Sequence, residues 1–231
     1  MTIMRKYLIL IFSIFLMYSC STYYYYPTYQ DIPTDTKKNE IRGSSFLSGA
    51  NEGFNVGYSI SENIGTFLTL NTFNNFDFKN GVQIADIGLY YYDHKSLTEN
   101  GNITYSISSA YGYGQDHRNN NFDLDINRIF IQPSLAFTSK FVDFGISSRF
   151  SYVDYRLYSV DYYSSDLYDV GKRKFFFFEP HIFLGLGYKG IKLNYHIANL
   201  FKINTSEILY FKDEVGYLSL SLKFDINKLI K

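Results

Sequence analysis

The chain has 231 residues, which fits one domain behind a short leader. Its formal net charge is +0, so it lacks the basic field that nucleic-acid binding requires. A single cysteine excludes an internal disulfide framework. The chain is rich in Tyr (24) and Phe (22), lacks Trp and has only 4 Pro. This composition favours β-strands whose surfaces are partly apolar and partly wet.

The first stretch predicts a targeting signal. Arg5 and Lys6 precede an apolar run over residues 7–18, which ends at Ser19 and Cys20. The run is too short for a transmembrane helix, which needs about 20 residues, but it suits the core of a signal peptide.

Residues 17–21, Met-Tyr-Ser-Cys-Ser, resemble the end of a bacterial lipoprotein signal. In such signals the cysteine that follows a small residue becomes the mature N-terminus and carries acyl chains. The resemblance implies a lipoprotein signal peptide over residues 1–19 and a lipid on Cys20. Met17 and Tyr18 depart from the strict pattern. The alternative is an ordinary signal peptide with an incidental cysteine.

Residues 20–39 form a Tyr- and Pro-rich segment, which predicts a lipidated tether. Pro27 and Pro33 block a helix and discourage ladder pairing. Two positions remain open for the tyrosines of this segment. They lie in the membrane interface, where Tyr concentrates, or they pack against the mouth of the following domain.

Residues 40–231 show a period of two and no convincing helical period. Several strand candidates reach ten residues, which matches the ~9–11 residues that cross a bilayer at a tilt. The pattern predicts an all-β, antiparallel, up-and-down transmembrane β-barrel with about ten strands, eight being the alternative. The candidates are 40–48, 53–60, 64–73, 82–93, 102–113, 126–138, 141–157, 173–188, 190–201 and 215–226.

The connections alternate between short and long, as in outer-membrane barrels. The short ones are 61–63, 139–140 and 189–190, and the long ones are 74–81, 114–125, 158–172 and 202–214. An even number of strands returns both ends to one side. Pro133 and Pro180 fall inside strand candidates, and a closed barrel has no edge for a residue without an N–H. We therefore expect β-bulges at both prolines.

Each strand candidate has one apolar and one polar face. The ninth, for example, alternates Ile191, Leu193 and Tyr195 with Lys192 and Asn194. In a soluble barrel or sandwich the polar face meets water, whereas in a membrane barrel it lines the lumen. Strand length, Tyr content and the alternation of loops favour the membrane.

At the level of the whole chain, the sequence resembles a group of Bacteroidetes outer-membrane β-barrel lipoproteins. The last strand, over residues 216–224, also resembles the terminal assembly signal of outer-membrane barrels, although seven residues follow Phe224. The resemblance implies an outer-membrane location with a lipid anchor, and no particular activity. The residues that carry it are Cys20 with Tyr23–Tyr26 and Pro27, and the stretches 38–42, 130–134 and 176–180.

Charged and histidine side chains recur on the predicted lumen face. Because an isolated charge in a narrow lumen is costly, we expect them to fill the lumen by pairing with one another. No cofactor, catalytic residue or metal site is predicted. The expected network comprises Asp143, Arg149, Glu179, His181, Lys192, His196 and Lys223, with Asp86 beside them.

The sequence predicts a structural or interaction protein with a side-chain-filled lumen and no enzymatic step. Membrane lipid is the expected partner, and nucleic acid is not. The 114–125 and 158–172 loops either bind an envelope protein or a glycan, or are unselective wet loops.

Two alternatives belong to other classes of function. One is a periplasm-facing lipoprotein with a soluble β-barrel that binds an apolar ligand. The other is a membrane-barrel enzyme acting on lipid or peptide, with His117 beside Asp116, Asp123 or Asp125.

Overall fold

The computed structural model describes residues 28–34, 37–48, 51–73, 82–98, 101–119, 122–160, 167–188, 190–203 and 214–225. The described chain forms ten antiparallel strands that close into one barrel. The strands are β1 (Ile41–Ser48), β2 (Asn51–Ser59), β3 (Ile64–Phe73), β4 (Val82–Thr98), β5 (Gly101–Asn119), β6 (Phe122–Ser139), β7 (Val142–Val160), β8 (Leu167–Tyr188), β9 (Ile191–Lys202) and β10 (Glu214–Asp225).

Every strand pairs with its neighbours in sequence, and β1 pairs with β10 from Arg42–Asp225 to Ser48–Ser219 to close the sheet. The predicted all-β barrel is confirmed, with ten strands and not eight. Because the number is even, both barrel ends, Ile41 and Asp225, lie at the same mouth. Among the described residues, no helix is long and apolar enough to cross a membrane.

The two mouths differ in their connections. We call the mouth with both barrel ends the short-turn mouth, since its connections span only residues 60–63, 99–100, 140–141 and 189–190. We call the opposite end the long-hairpin mouth. There β4 to β8, which have 17 to 22 residues, project beyond the shorter strands.

The predicted 114–125 loop is wrong, because strands occupy nearly all of it. The β5–β6 ladder continues through Gln115–Asp125 and Asp116–Leu124, which leaves only residues 120–121 between the strands. The side chains still alternate, with Leu124 inside the barrel and Asp125 outside. The polar residues of this stretch lie on the solvent-facing side of the strands.

The predicted 158–172 loop is wrong for the same reason. Strand β7 runs to Val160 and β8 starts at Leu167, so that residues 161–166 alone connect them. The ladder shifts register between Leu157 and Tyr158, opposite Gly171, whose φ is 141°. A glycine tolerates that backbone conformation, and the bulge lets pairing continue into a region whose composition resembles a loop.

The predicted bulges at Pro133 and Pro180 are also wrong. The β6–β7 pairing passes from Ile131–Phe150 to Ser134–Ser147 without a change of register. The β8–β9 pairing skips Glu179 and Pro180 in the same way. Each proline therefore interrupts the ladder locally without an inserted residue, because a missing N–H removes a hydrogen bond but does not require extra chain.

The barrel wall carries apolar side chains outside and polar ones inside. On β4, Asp86 is 1 % exposed whereas its neighbour Ile87 is 62 % exposed. A soluble barrel would instead place polar side chains on its outer face. The outward apolar band includes Leu68, Leu89, Ile107, Ile131, Leu135, Phe144, Ile146, Phe150, Ile182, Leu184, Leu193, Ile197, Leu220 and Leu222.

This pattern inverts towards the long-hairpin mouth. The outward side chains there are polar, and opposite charges face each other across strands in the pairs Asp125–Arg156 and Asp154–Lys174. Most of the inward side chains there are apolar, and we call the cluster that they form the apolar cap. Its members are Phe73, Val82, Ile84, Leu124, Ile126, Val153, Tyr155, Phe175, Phe177 and Leu200.

Aromatic rings mark both edges of the outward apolar band. Tyr152 and Phe176 pack against each other below the charged pairs, with ring centroids 4.9 Å apart. At the short-turn mouth Phe141 stacks on Tyr188 at 5.4 Å, and the Lys140 ammonium lies over both rings. Aromatic belts around an apolar band are typical of membrane-spanning barrels.

Candidate functional site

The lumen is filled by the chain's own residues 28–34, which we call the plug. Thr28, Tyr29 and Gln30 are buried, and the plug belongs to no strand. It descends from the level of Arg128 to the short-turn mouth, where Lys223 Nζ donates a hydrogen bond to Thr34 Oγ1. The predicted tether therefore enters the barrel in part. Tyr23–Tyr26 lie outside the described residues, as does Cys20.

Two arginines of the wall hold the upper end of the plug. Arg149 donates from Nη1 to Thr28 Oγ1 at 2.9 Å and from Nη2 to the Tyr29 carbonyl at 3.1 Å. Arg128 Nη2 also donates to Thr28 Oγ1. Charge-assisted bonds of this kind are about twice as strong as neutral ones. Arg149 thereby satisfies the backbone carbonyls of Thr28 and Tyr29, which belong to no strand ladder.

The arginines are matched by buried carboxylates. Arg128 pairs with Asp86 from both Nε and Nη2, and Arg149 lies 3.9 Å from Glu179. Arg42 donates to Asp31 of the plug at 2.9 Å. A charge without a partner in this setting would cost several kcal/mol, so the pairs make a filled lumen compatible with stability.

Near the short-turn mouth, Lys192 Nζ lies 2.5 Å from Asp143 Oδ1 and donates to the Ser139 carbonyl. This ion pair lies inside the barrel at the short-turn mouth, beside the 140–141 turn.

A series of hydrogen bonds begins at Tyr29 of the plug and ends at the next plug residue, Gln30. It crosses four strands, from β10 to β7, and contains two histidines whose nitrogens are 2.9 Å apart. The successive contacts are Tyr29 Oη to Ser221 Oγ (3.1 Å), Ser221 Oγ to His196 Nε2 (2.8 Å), His196 Nδ1 to His181 Nε2 (2.9 Å), His181 Nδ1 to Ser147 Oγ (3.0 Å) and Ser147 Oγ to Gln30 Oε1 (3.0 Å).

The contact between Ser147 and Gln30 determines which atom donates in each of these hydrogen bonds. Gln30 Nε2 donates to the Glu179 carbonyl at 3.2 Å, which orients the amide so that Oε1 accepts from Ser147. Ser147 must then accept from His181, and His181 from His196. Two neutral histidines, each with its proton on Nδ1, give every contact one proton.

Comparison with known proteins gives structural likenesses and no sequence match. No protein-family model matches the sequence, and no curated protein matches it. The N-terminal β-barrel domain of Pseudomonas aeruginosa OprF has 9 % identity and a TM-score of 0.38, covering 81 % of this chain and 97 % of that domain. The outer-membrane protease OmpT of Escherichia coli has 10 % identity and a TM-score of 0.37, covering 80 % and 93 %.

A third likeness is to the translocator domain of the autotransporter NalP from Neisseria meningitidis. It has 10 % identity and a TM-score of 0.35, covering 82 % of this chain and 88 % of that domain. Identities this low carry no information on activity.

All seven side chains of the expected lumen network face the lumen, and six of them form three pairs. Asp143 pairs with Lys192, Arg149 lies beside Glu179, and His181 contacts His196. Lys223 instead contacts the plug. Sequence reasoning missed the wall residues Arg42, Arg128 and Gln132 and the plug residues Thr28, Tyr29, Gln30 and Asp31.

Of the carboxylates expected near His117, the structure places Asp116 and Asp125 on opposite faces of the barrel wall. Asp116 is buried on the lumen side, whereas Asp125 accepts hydrogen bonds outside the barrel from Tyr113 and Gln115. The side chains of His117 and Asp123 lie outside the described part of the structure. Within that part, no group of three or more His, Cys, Asp or Glu side chains has metal-binding geometry.

A small cavity lies beside the plug. A cavity lined by Tyr29, Arg42, Phe130 and Arg149 has a volume of about 10 Å³. That is at the lower limit for one water molecule.

Gly112 makes room for the Asp86–Arg128 pair. A Cβ at this position would lie 2.1 Å from Asp86 Oδ1 and 2.8 Å from Arg128 Cγ. We expect Gly112→Ala to destabilise the barrel by about 1–3 kcal/mol, the usual cost of overpacking. The measurement is the urea midpoint of the folded band in unheated gels. Gly43→Ala is the control, since its nearest contact would be an ordinary 3.8 Å. Equal midpoints for the two variants would contradict the prediction.

Proposed function

We propose that the protein is a lipid-anchored barrel of an outer membrane that acts as a structural or interaction protein. Its lumen is closed by its own N-terminal chain, and it has no enzymatic step. The observation that supports the proposal is that apolar side chains such as Ile87 point outward and polar ones such as Asp86 point into the lumen. The outward apolar side chains are exposed in the described chain, and lipid is the partner that we propose for them.

The height of the band agrees with this proposal. On β5 it extends from Ile103 to Tyr111 and on β8 from Phe176 to Tyr188. Strands of nine to thirteen residues, tilted as in membrane barrels, give an apolar belt about 25 Å tall. Polar side chains take over the outer face just beyond it.

Two other functions fit the lumen poorly. A soluble barrel for an apolar ligand requires an apolar internal cavity, but the lumen around the plug is lined by buried polar and charged side chains. An open aqueous pore requires a wider barrel, of about 16–18 strands. An interaction role fits best, with the projecting β4–β8 hairpins as the surface that an envelope protein or a glycan would meet.

Membrane extraction tests the proposal. We expect the Cys20→Ala variant to stay in the membrane pellet after a carbonate wash, since the barrel holds itself in lipid through its outer band. We also expect its folded form to migrate faster in unheated than in heated gels. Release by carbonate, or a chain starting at Ser21 that is soluble and monomeric without detergent, would reject the membrane barrel in favour of a soluble one.

A further inference from the structure

The outer face of β7 and β8 changes from aromatic to charged side chains towards the long-hairpin mouth. The aromatic rings pack across the two strands, with centroids 5.1 Å apart in the first pair and 4.9 Å in the second. In the next two outward pairs every side chain is charged. The successive cross-strand pairs are Phe150–Phe178, Tyr152–Phe176, Asp154–Lys174 and Arg156–Lys172.

Three exposed cations of this face, Arg156, Lys172 and Lys174, form what we call the cationic patch. Arg156 and Lys172 are directly opposite each other across the strands, where Cβ atoms are about 5 Å apart and like charges repel. Lys174 follows on the same face of β8, and its ammonium has no hydrogen-bond or ion-pair partner within the described chain. An anion between these side chains would be attracted by all three and would reduce the repulsion.

Two carboxylates lie beside the cationic patch. Asp125 accepts hydrogen bonds from Tyr113 Oη and Gln115 Nε2, both at 3.3 Å. Asp154 is the cross-strand neighbour of Lys174, and its Oδ1 has no hydrogen-bond partner within the described chain. Three cations against these two carboxylates leave an excess of one positive charge on this part of the outer face.

The cationic patch lies at the level of the lipid headgroups. Two residues advance a strand by about 7 Å, which is about 5 Å along the membrane normal at a tilt of ~40°. Lys174 therefore lies about 5 Å beyond Phe176 in the aromatic edge, and Lys172 about 10 Å. The headgroup region extends about 5–8 Å beyond the hydrocarbon on each side of a bilayer. Lipid phosphates are the anions found at that depth.

We propose that Arg156, Lys172 and Lys174 bind the phosphate of an anionic lipid headgroup at the long-hairpin edge of the apolar band. Guanidinium and ammonium groups donate charge-assisted hydrogen bonds to phosphate oxygens, and the guanidinium can do so with two parallel bonds. The acyl chains of the same lipid lie against Phe150 and Phe178. This inference rests on the proposed membrane barrel and names the class of lipid that its wall selects.

Fluorescence quenching by brominated lipids tests it, because the chain has no native Trp. The full-length protein carries Tyr152→Trp beside the cationic patch, in bilayers of phosphatidylcholine with a minor share of phosphatidic acid. The bromine is placed on the acyl chains of one lipid or of the other. Leu68→Trp is the matched control, since it lies in the apolar band on β3, across the barrel from β7 and β8. Faster migration in unheated gels shows that each variant has folded.

We expect phosphatidic acid to be enriched over phosphatidylcholine about fivefold more at residue 152 than at residue 68, the effect of roughly one cation near an anionic headgroup. Lys172→Gln combined with Lys174→Gln should abolish the enrichment, and Asp154→Asn should increase it. High salt should weaken it, because the charges are exposed.

Equal enrichment at the two positions, or an enrichment that survives the double replacement, would overturn the inference while leaving the barrel intact. Absence of quenching at both positions by either lipid would instead show that the apolar band does not meet acyl chains. The proposed membrane barrel itself would then fail.

Discussion

Replacing Arg149 with alanine is expected to destabilise the barrel by about 3–5 kcal/mol, the cost of leaving one partner of a buried ion pair without the other. Glu179 would keep a buried charge, and the plug would lose the donors to Thr28 and Tyr29. The Arg149 guanidinium also lies 4.3 Å from the Phe130 ring, a contact that alanine removes. Urea titration of the folded gel band measures the change.

Two further variants separate charge from geometry at this position. Arg149→Lys keeps a cation beside Glu179, but an ammonium cannot reproduce the planar fork that reaches Gln132 and the plug, so we expect an intermediate loss. Arg156→Ala removes the same residue type from the exposed face of β7, and we expect a loss of about 1 kcal/mol or less. A shift for Arg149→Ala no larger than that control would show that the plug is not held by this residue.

The second large effect concerns Asp86 and Arg128. Either single replacement, Asp86→Leu or Arg128→Met, is expected to cost about 3–5 kcal/mol, because the remaining charge is buried. The double replacement Asp86→Leu with Arg128→Met removes both charges at similar volume. It should recover most of that cost and retain a deficit of about 1 kcal/mol for the lost hydrogen bond to Thr28.

The comparison of single and double variants is the measurement. Urea midpoints of the four proteins, the parent included, give the coupling free energy between the two positions. Additive losses in the double variant would contradict a direct pair, since they would mean that each side chain stabilises the barrel independently.

Much of the barrel could be predicted from the sequence because strand periodicity is a local signal. The alternation of Ile191, Leu193 and Tyr195 with Lys192 and Asn194 specifies which side chains share a face, whatever lies across the sheet. The same alternation also predicts that the side chains of His181 and His196 both face the lumen. Their 2.9 Å contact depends on the β8–β9 register, which pairs His196 with Phe183 and brings the rings side by side.

The predicted loops and bulges are wrong where composition and periodicity indicate different structures. Around residues 114–125, polar and glycine residues indicate a loop, yet the ladder continues because the polar side chains point to water above the membrane band. Each proline was expected to add a residue to its strand, but the missing hydrogen bond at Pro133 is tolerated by neighbours that keep their register.

The plug could not be predicted because nothing local specifies it. Thr28 and Gln30 have ordinary polar side chains, and their partners Arg128, Arg149 and Ser147 are about a hundred or more residues away in sequence. Asp31, which pairs with Arg42, lies in the segment expected to be a tether.

The plug also constrains the order of assembly. Its partners on β6 and β7 are synthesised long after it, and Tyr29 also contacts β10. We expect the seam between β1 and β10 to close around a plug that already contacts the wall. A plug variant should then slow barrel closure as well as weaken the closed state.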